Sequence, residues 1–188
     1  MKNIWISFLL LCCGIQAQTK FEKENRIKEN QVPQKAVLFF KDLDLASKVK
    51  WYQEKSQDGI SFEAKVIHNH RKNSIEFTKA GTIIDLEIQV DFKKLPKPIQ
   101  NTIKNTLRQR FEKFRIEKVQ MQYTGDAETL KNIAFEKKSS HKKIPTYEVI
   151  CKGKHKKEWE YYELLIDKNG TILKDLKFSY FPLDNLEF

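Results

Sequence analysis

Residues 77–88 read FTKAGTIIDLEI, and residues 166–178 read IDKNGTILKDLKF. With Gly81 set on Gly170, Thr82-Ile83 falls on Thr171-Ile172. One residue later Asp85-Leu86 meets Asp175-Leu176, with Ile88 over Phe178. In both stretches a glycine separates two strand-like runs, at the position where a tight turn needs positive φ. The similarity extends upstream in the same order. SFEAKVIHNH (61–70) pairs with TYEVICKGKH (146–155), and Val49 and Trp51 of VKWYQE match Val119 and Met121 of VQMQYTG. Each half opens at a proline, Pro33 in VPQKAVLFF and Pro96 in LPKPIQNTI.

This order predicts an α+β fold: two tandem helix-plus-four-strand repeats forming an antiparallel sheet with helices on one face. The first repeat spans residues 32–94 and the second 95–188, with an inserted loop at 125–143; residues 18–31 form an N-terminal segment. Pro96 and Pro98 suit a first helical turn, where a missing N–H costs nothing. Ile99, Ile103, Leu107 and Phe111 then recur every fourth residue as one apolar stripe. In the shorter first helix Ala36, Val37 and Phe40 face inward. In TIIDLEIQVDF, Ile84, Leu86, Ile88, Val90 and Phe92 fall on one face and Ile83, Asp85, Glu87, Gln89 and Asp91 on the other. Such alternation marks a sheet with one covered and one open face.

The start has the form of a secretory signal peptide: a short charged end at Lys2, apolar residues Ile4–Ile15, then Gln16-Ala17 before a charged stretch. Cleavage after Ala17 would place the mature chain in the periplasm or outside the cell. Cys12 and Cys13 leave a lipidated form open. Cys151 is then the one cysteine remaining, so no intramolecular disulfide forms. The run is too short to span a bilayer, which takes about 20 apolar residues, and no second span follows. Solubility alone accounts for the net charge of +10; if it serves a partner, an exported chain would meet acidic envelope polymers or another protein and not nucleic acid.

VKWYQE, SFEAKV, SIEFTKAGTIIDLEI, LPKPIQNTI and KVQMQYTG together resemble the secreted PepSY-like, β-lactamase-inhibitor-like (BLIP-like) proteins of Bacteroidota, over residues 32–181. That resemblance implies a continuous antiparallel sheet with helices on one face, and binding on the opposite face. Its motifs fix turns and core, and none is catalytic.

Site chemistry is sparse. His68, Asn69 and His70 are consecutive in a hairpin, without the spread of a nuclease metal site, and no third ligand accompanies the two histidines. Asp167-Lys168-Asn169-Gly170 lacks the later acidic ligands of a calcium loop. Cys151 and His155, four residues apart on a strand, are separated by roughly 13 Å of rise. No cofactor, metal or catalytic residue is therefore expected, and no enzymatic activity. Two surfaces remain. Trp159, Tyr161, Glu163 and Leu165 alternate onto the open face, with Lys50 and Tyr52 joining them; this set predicts a non-enzymatic binding module holding a protein or peptide, as an inhibitor or regulator, in the cell envelope. His68, His70, Arg71 and Lys72 with Lys154, His155, Lys156 and Lys157 form two basic hairpin tips, the basis of an alternative reading as an envelope protein that contacts anionic polymer.

Overall fold

The computed structural model describes residues 18–41, 43, 45, 47–135 and 143–179. The expected signal peptide lies outside them. Ten strands form one sheet: β1 (Gln18–Lys20), β2 (Glu22–Ile27), β3 (Lys50–Ser56), β4 (Gly59–His68), β5 (Arg71–Thr78), β6 (Ile83–Val90), β7 (Lys113–Thr124), β8 (Thr146–His155), β9 (Glu158–Ile166) and β10 (Ile172–Phe178). Three helices accompany it, α1 (Gln34–Phe39), α2 (Lys97–Arg110) and α3 (Ala127–Phe135). The order across the sheet is β1-β10-β9-β8-β7-β6-β5-β4-β3-β2. Because β1 and β2 are one stretch interrupted only at Phe21, the two ends of that order meet. β1 pairs in parallel with β10, β2 pairs antiparallel with β3, and the sheet becomes a nearly closed barrel.

This overturns the expected fold class. The molecule is not two helix-plus-four-strand repeats on a sheet with an open face, but a single curved sheet whose polar face is turned inward. The segment 18–31, assigned no element from sequence, supplies the closing strand. Its residues alternate polar with polar, so no amphipathic pattern announces it.

Two apolar clusters fill the space between sheet and helices. One joins Trp51, Phe62, Ala64, Val66, Ile75, Phe77, Leu86 and Ile88 to Ala36 and Phe39 of α1 and to α3. The other joins Val119, Tyr147, Val149, Cys151, Tyr162, Leu164 and Ile166 to Ile103 and Leu107 of α2 and to Phe111. α1 has only six residues, too few to cover strands β3 to β6. The segment 127–135, read as part of an inserted loop, is the helix that completes the cover, burying Leu130, Ile133, Ala134 and Phe135.

Both glycine turns dock on a helix. Thr78 N donates to Thr82 O at 2.8 Å and Asp167 N to Thr171 O at 3.0 Å, closing equivalent turns. Gly81 (φ 75°) lies where a Cβ would come 2.9 Å from Lys35 Cβ and 3.0 Å from Ala36 N of α1. Gly170 (φ 93°) lies against Thr106 of α2, whose hydroxyl donates to the Gly170 carbonyl at 2.9 Å. Positive φ and close approach both exclude a side chain there.

A bulge follows each turn. Glu76 pairs Asp85 while Phe77 pairs Ile83, leaving Ile84 unpaired. Ile83 therefore packs on the core, and Ile84, expected inside, is 38% exposed. In β10, Ile172 pairs Ile166 and Lys174 pairs Leu165, so Leu173 is the extra residue. Asp175 then shares the helix face with Leu164 and accepts from Arg110 Nε at 2.7 Å. It occupies a core-facing position in β10, and its equivalence to lumenal Asp85 is withdrawn.

Candidate functional site

Every strand of the barrel sends polar side chains inward. Asp85 and Glu87 alternate with buried Leu86 and Ile88; Glu63 and Lys65 alternate with Phe62, Ala64 and Val66; Glu148 alternates with Tyr147 and Val149. The result is a cavity of about 480 Å³ lined by ten carboxyl groups and four lysines, a formal −6 inside a chain of +10. Lys174 of β10 and Glu76 of β5 line the same cavity, which only a curved sheet permits. The lining continues to Asp58 and Ile60 at the β3–β4 turn, on the same end as Thr78 and Ile84.

Two lysines organise the interior. Lys20 Nζ contacts both Glu22 and Glu163. Lys65 Nζ bridges Glu24 Oε2 at 2.9 Å and Glu63 Oε2 at 3.3 Å. Gln120 Nε2 donates to Glu87 Oε2 at 2.8 Å, and Gln122 Nε2 to Asp85 Oδ2 at 2.9 Å. The lysines are too few for the acids. Burial, then the Glu63 charge, raise Glu24 to about 7. Burial, then Asp85, raise Glu87 to about 8. Burial, then Glu22 and Glu76, raise Glu54 to about 9. Asp85 and Glu148 are raised well above their usual range, chiefly by burial. Glu54 and Glu87 therefore keep their protons near neutral pH.

The six expected binding residues are not gathered in one place. Glu163 is in the cavity, 4% exposed and held by Lys20. Tyr52 lies half-buried with Lys65 Nζ 4.7 Å from its ring centroid, and Lys50 is half-buried on the same strand. Trp159 is 44% exposed at the start of β9, Tyr161 sits half-buried beside Lys152, and Leu165 is half-buried. β10 and the closing strand separate the β9 residues from Lys50 and Tyr52.

Of the basic tips, two residues do structural work. His68 Nε2 lies 3.0 Å from the Phe135 carbonyl, and Arg71 Nη2 donates to the Ala134 carbonyl at 2.8 Å. Both satisfy carbonyls at the C-terminus of α3, where a helix end attracts cations. His70, His155, Lys156 and Lys157 are exposed, and Lys72 and Lys154 half-buried. Asn69 and His70 (φ 49° and 60°), like Lys156 and Lys157 (φ 49° and 74°), form two-residue turns with positive φ at both positions. Cys151 is buried and its thiol is pushed up to about 12, first by burial and then by Asp175, so it is a poor nucleophile. Among the described residues no cluster of three or more His, Cys, Asp or Glu side chains could hold a metal ion.

The acids of the lumen were visible in sequence as the outward register of single strands. Their convergence was not, because closure depends on a strand with no apolar signal.

No known family profile matches the chain, and no curated protein does. Solved structures do. A DUF2874 family protein from Bacteroides ovatus aligns over 78% of this chain and 87% of that one, at 16% identity and a TM-score of 0.52. A protein of Bacteroides eggerthii described as a candidate periplasmic protein aligns over 78% and 88%, at 15% identity and 0.51. A BLIP-like protein from Bacteroides fragilis aligns over 81% and 90%, at 12% identity and 0.49. The two matches with scores above 0.5, the DUF2874 protein and the Bacteroides eggerthii protein, share the fold of this chain. At these identities the likeness concerns the fold. Among the described residues, no helix is long and apolar enough to cross a membrane.

Proposed function

We propose that the protein is a secreted, non-enzymatic binding module whose barrel lumen receives cationic side chains from a protein or peptide partner in the cell envelope. One observation carries this reading. A strongly basic chain concentrates ten carboxyl groups around one cavity and matches them with only four lysines. Charges of one sign in a walled cleft focus the field on a ligand of the other sign. A volume of about 480 Å³ is of ligand-pocket size and far smaller than a globular surface. Lysine or arginine side chains on an extended segment fit it, and they would exchange places with the protons held by Glu24 and Glu87. The description of the Bacteroides eggerthii neighbour as periplasmic agrees with export, and no neighbour's description names an enzyme. The Trp159–Tyr161 edge of β9 offers aromatic contacts outside the cavity to the flanks of such a segment.

Contact with anionic polymer through the tips keeps only part of its original basis, since His68 and Arg71 hold α3.

The test is a titration of lysine-rich and glutamate-rich peptides into the wild type and into Glu87→Gln/Glu148→Gln, each at low and high salt. Binding of the lysine-rich peptide alone, weakened by salt and by the variant, supports the reading. Equal binding of both peptides, or binding indifferent to the variant, rejects it.

A further inference from the structure

We infer that residues 18–27 are a displaceable strap, latched by charge, whose release opens the barrel lengthwise between β3 and β10. The inference does not depend on which ligand the lumen takes.

The first observation is the pairing. Each of the eight strands β3 to β10 has a neighbour on both sides. The strap crosses the seam diagonally: Gln18, Thr19 and Lys20 pair only with β10, and Glu22 to Ile27 pair only with β3. At no position does it have ladder partners on both sides. Beyond the ladder, Lys20 O accepts from Ser179 N at 3.1 Å, and Phe21 N donates to Gln57 Oε1 at 3.0 Å.

The second observation is burial. None of residues 19–27 is buried as a whole, although the Lys20, Glu22 and Glu24 side chains are enclosed by the lumen. Phe21 is 55% exposed, and only Ile27, at the end nearest the short helical turn Glu29–Gln31, reaches the core. Strands β4 and β5, by contrast, bury Phe62, Ala64, Val66, Ile75 and Phe77. Apolar burial is the main resistance to local opening, and the strap has almost none.

The third observation is where its charges go. Lys20 reaches past β10 to Glu163 on β9, and Glu24 reaches past β3 to Lys65 on β4. Each contact ties the strap to a strand beyond its own ladder partner. These two contacts straddle the seam inside the lumen, and the Glu24 half carries its full charge only above about pH 7. Backbone hydrogen bonds lost on opening are regained with water, so the ion pairs and the Ile27 end set how tightly the strap closes. Opening would expose the edges of β3 and β10 and the lumenal carboxyls between them.

Amide hydrogen exchange on the full chain tests this. In the wild type, amides of residues 22–27 are expected to exchange at least about tenfold faster than those of residues 62–66 and 75–77, because they open without global unfolding. High salt and the double variant Lys20→Gln/Glu24→Gln should each speed the strap further while leaving β4 and β5 unchanged. Equal rates for strap and body in the wild type would overturn the inference, as would strap rates insensitive to both salt and variant. A double variant that fails to fold would also overturn it, since the strap would then be an integral stave; the salt comparison on the wild type decides independently of that variant.

Discussion

Gly153 sits on the helix-facing side of β8, where an added Cβ would come 2.5 Å from the Phe111 ring. Phe111 in turn packs on Tyr162 with ring centroids 4.8 Å apart. Replacing Gly153 with alanine pushes this ring stack off the sheet. Overpacking of that kind costs about 1–3 kcal/mol, so Gly153→Ala should lower the midpoint of chemical denaturation without changing its slope. Buried carboxyls make a second case at this scale. Glu54 is raised to about 9 from a usual value of 4.5, by burial first. The folded state therefore binds the proton more tightly than the unfolded chain between those values, and stability from this group is lost as pH rises through about 9. Glu54→Gln removes the charge that must be buried. It should be nearly neutral at pH 5 and stabilising by at least about 1 kcal/mol at pH 9, read by denaturant melts at the two pH values. None of this was legible in sequence. Nothing in KGKH marks Gly153 as lying against a helix, and nothing around Glu54 announces the opposite wall of the barrel.

At the level of elements, the bulge in β6 decides which isoleucine belongs to the core. A simple period of two assigns Ile84, Leu86 and Ile88 to one face, and the extra residue shifts Ile84 off it. Leu86 is fully buried and Ile84 is 38% exposed. Leu86→Ala should cost about 2–5 kcal/mol, in the range of core leucine truncations, whereas Ile84→Ala should cost less than about 1 kcal/mol. Matched thermal melts of the two variants measure the difference directly. The alternation itself was readable over 85–90, and so was the apolar stripe of α2, with Ile103 and Leu107 fully buried. The turns at Gly81 and Gly170 were readable because positive φ leaves glycine as the favoured residue. Bulges carry no such marker, and the one-residue gap in aligning 77–88 with 166–178 hid a bulge present in both hairpins. α3 was missed for a different reason. It is only nine residues long and lies in an insertion with no counterpart in the first half, and its role depends on α1 being too short to cover the sheet alone.

For the whole molecule, the decisive feature is closure. A flat sheet with these residues would present its acids to solvent, where each would titrate near its usual value and bind little. Curvature sets Glu76 of β5 and Lys174 of β10 on the walls of one cavity, and the strap sets Lys20 and Glu24 inside. The same polar alternation thereby becomes a walled, carboxyl-rich cavity, formally negative, in a positively charged protein. The distribution of charge is also why the net value of +10 misdirects: it sums the whole chain and conceals a lumen whose formal charge has the opposite sign. If a cation from a partner enters, it must displace protons from carboxyls raised to about 7 and about 8, Glu24 and Glu87. The most direct measurement is calorimetry of a lysine-rich peptide binding at pH 7, repeated in buffers of different ionisation enthalpy. Binding accompanied by net proton release, which shrinks at pH 9 as Glu24 and Glu87 lose their protons beforehand, is the predicted result. Binding with no proton release at pH 7, or no binding of the peptide at all, would contradict the lumen as the site of a cationic ligand.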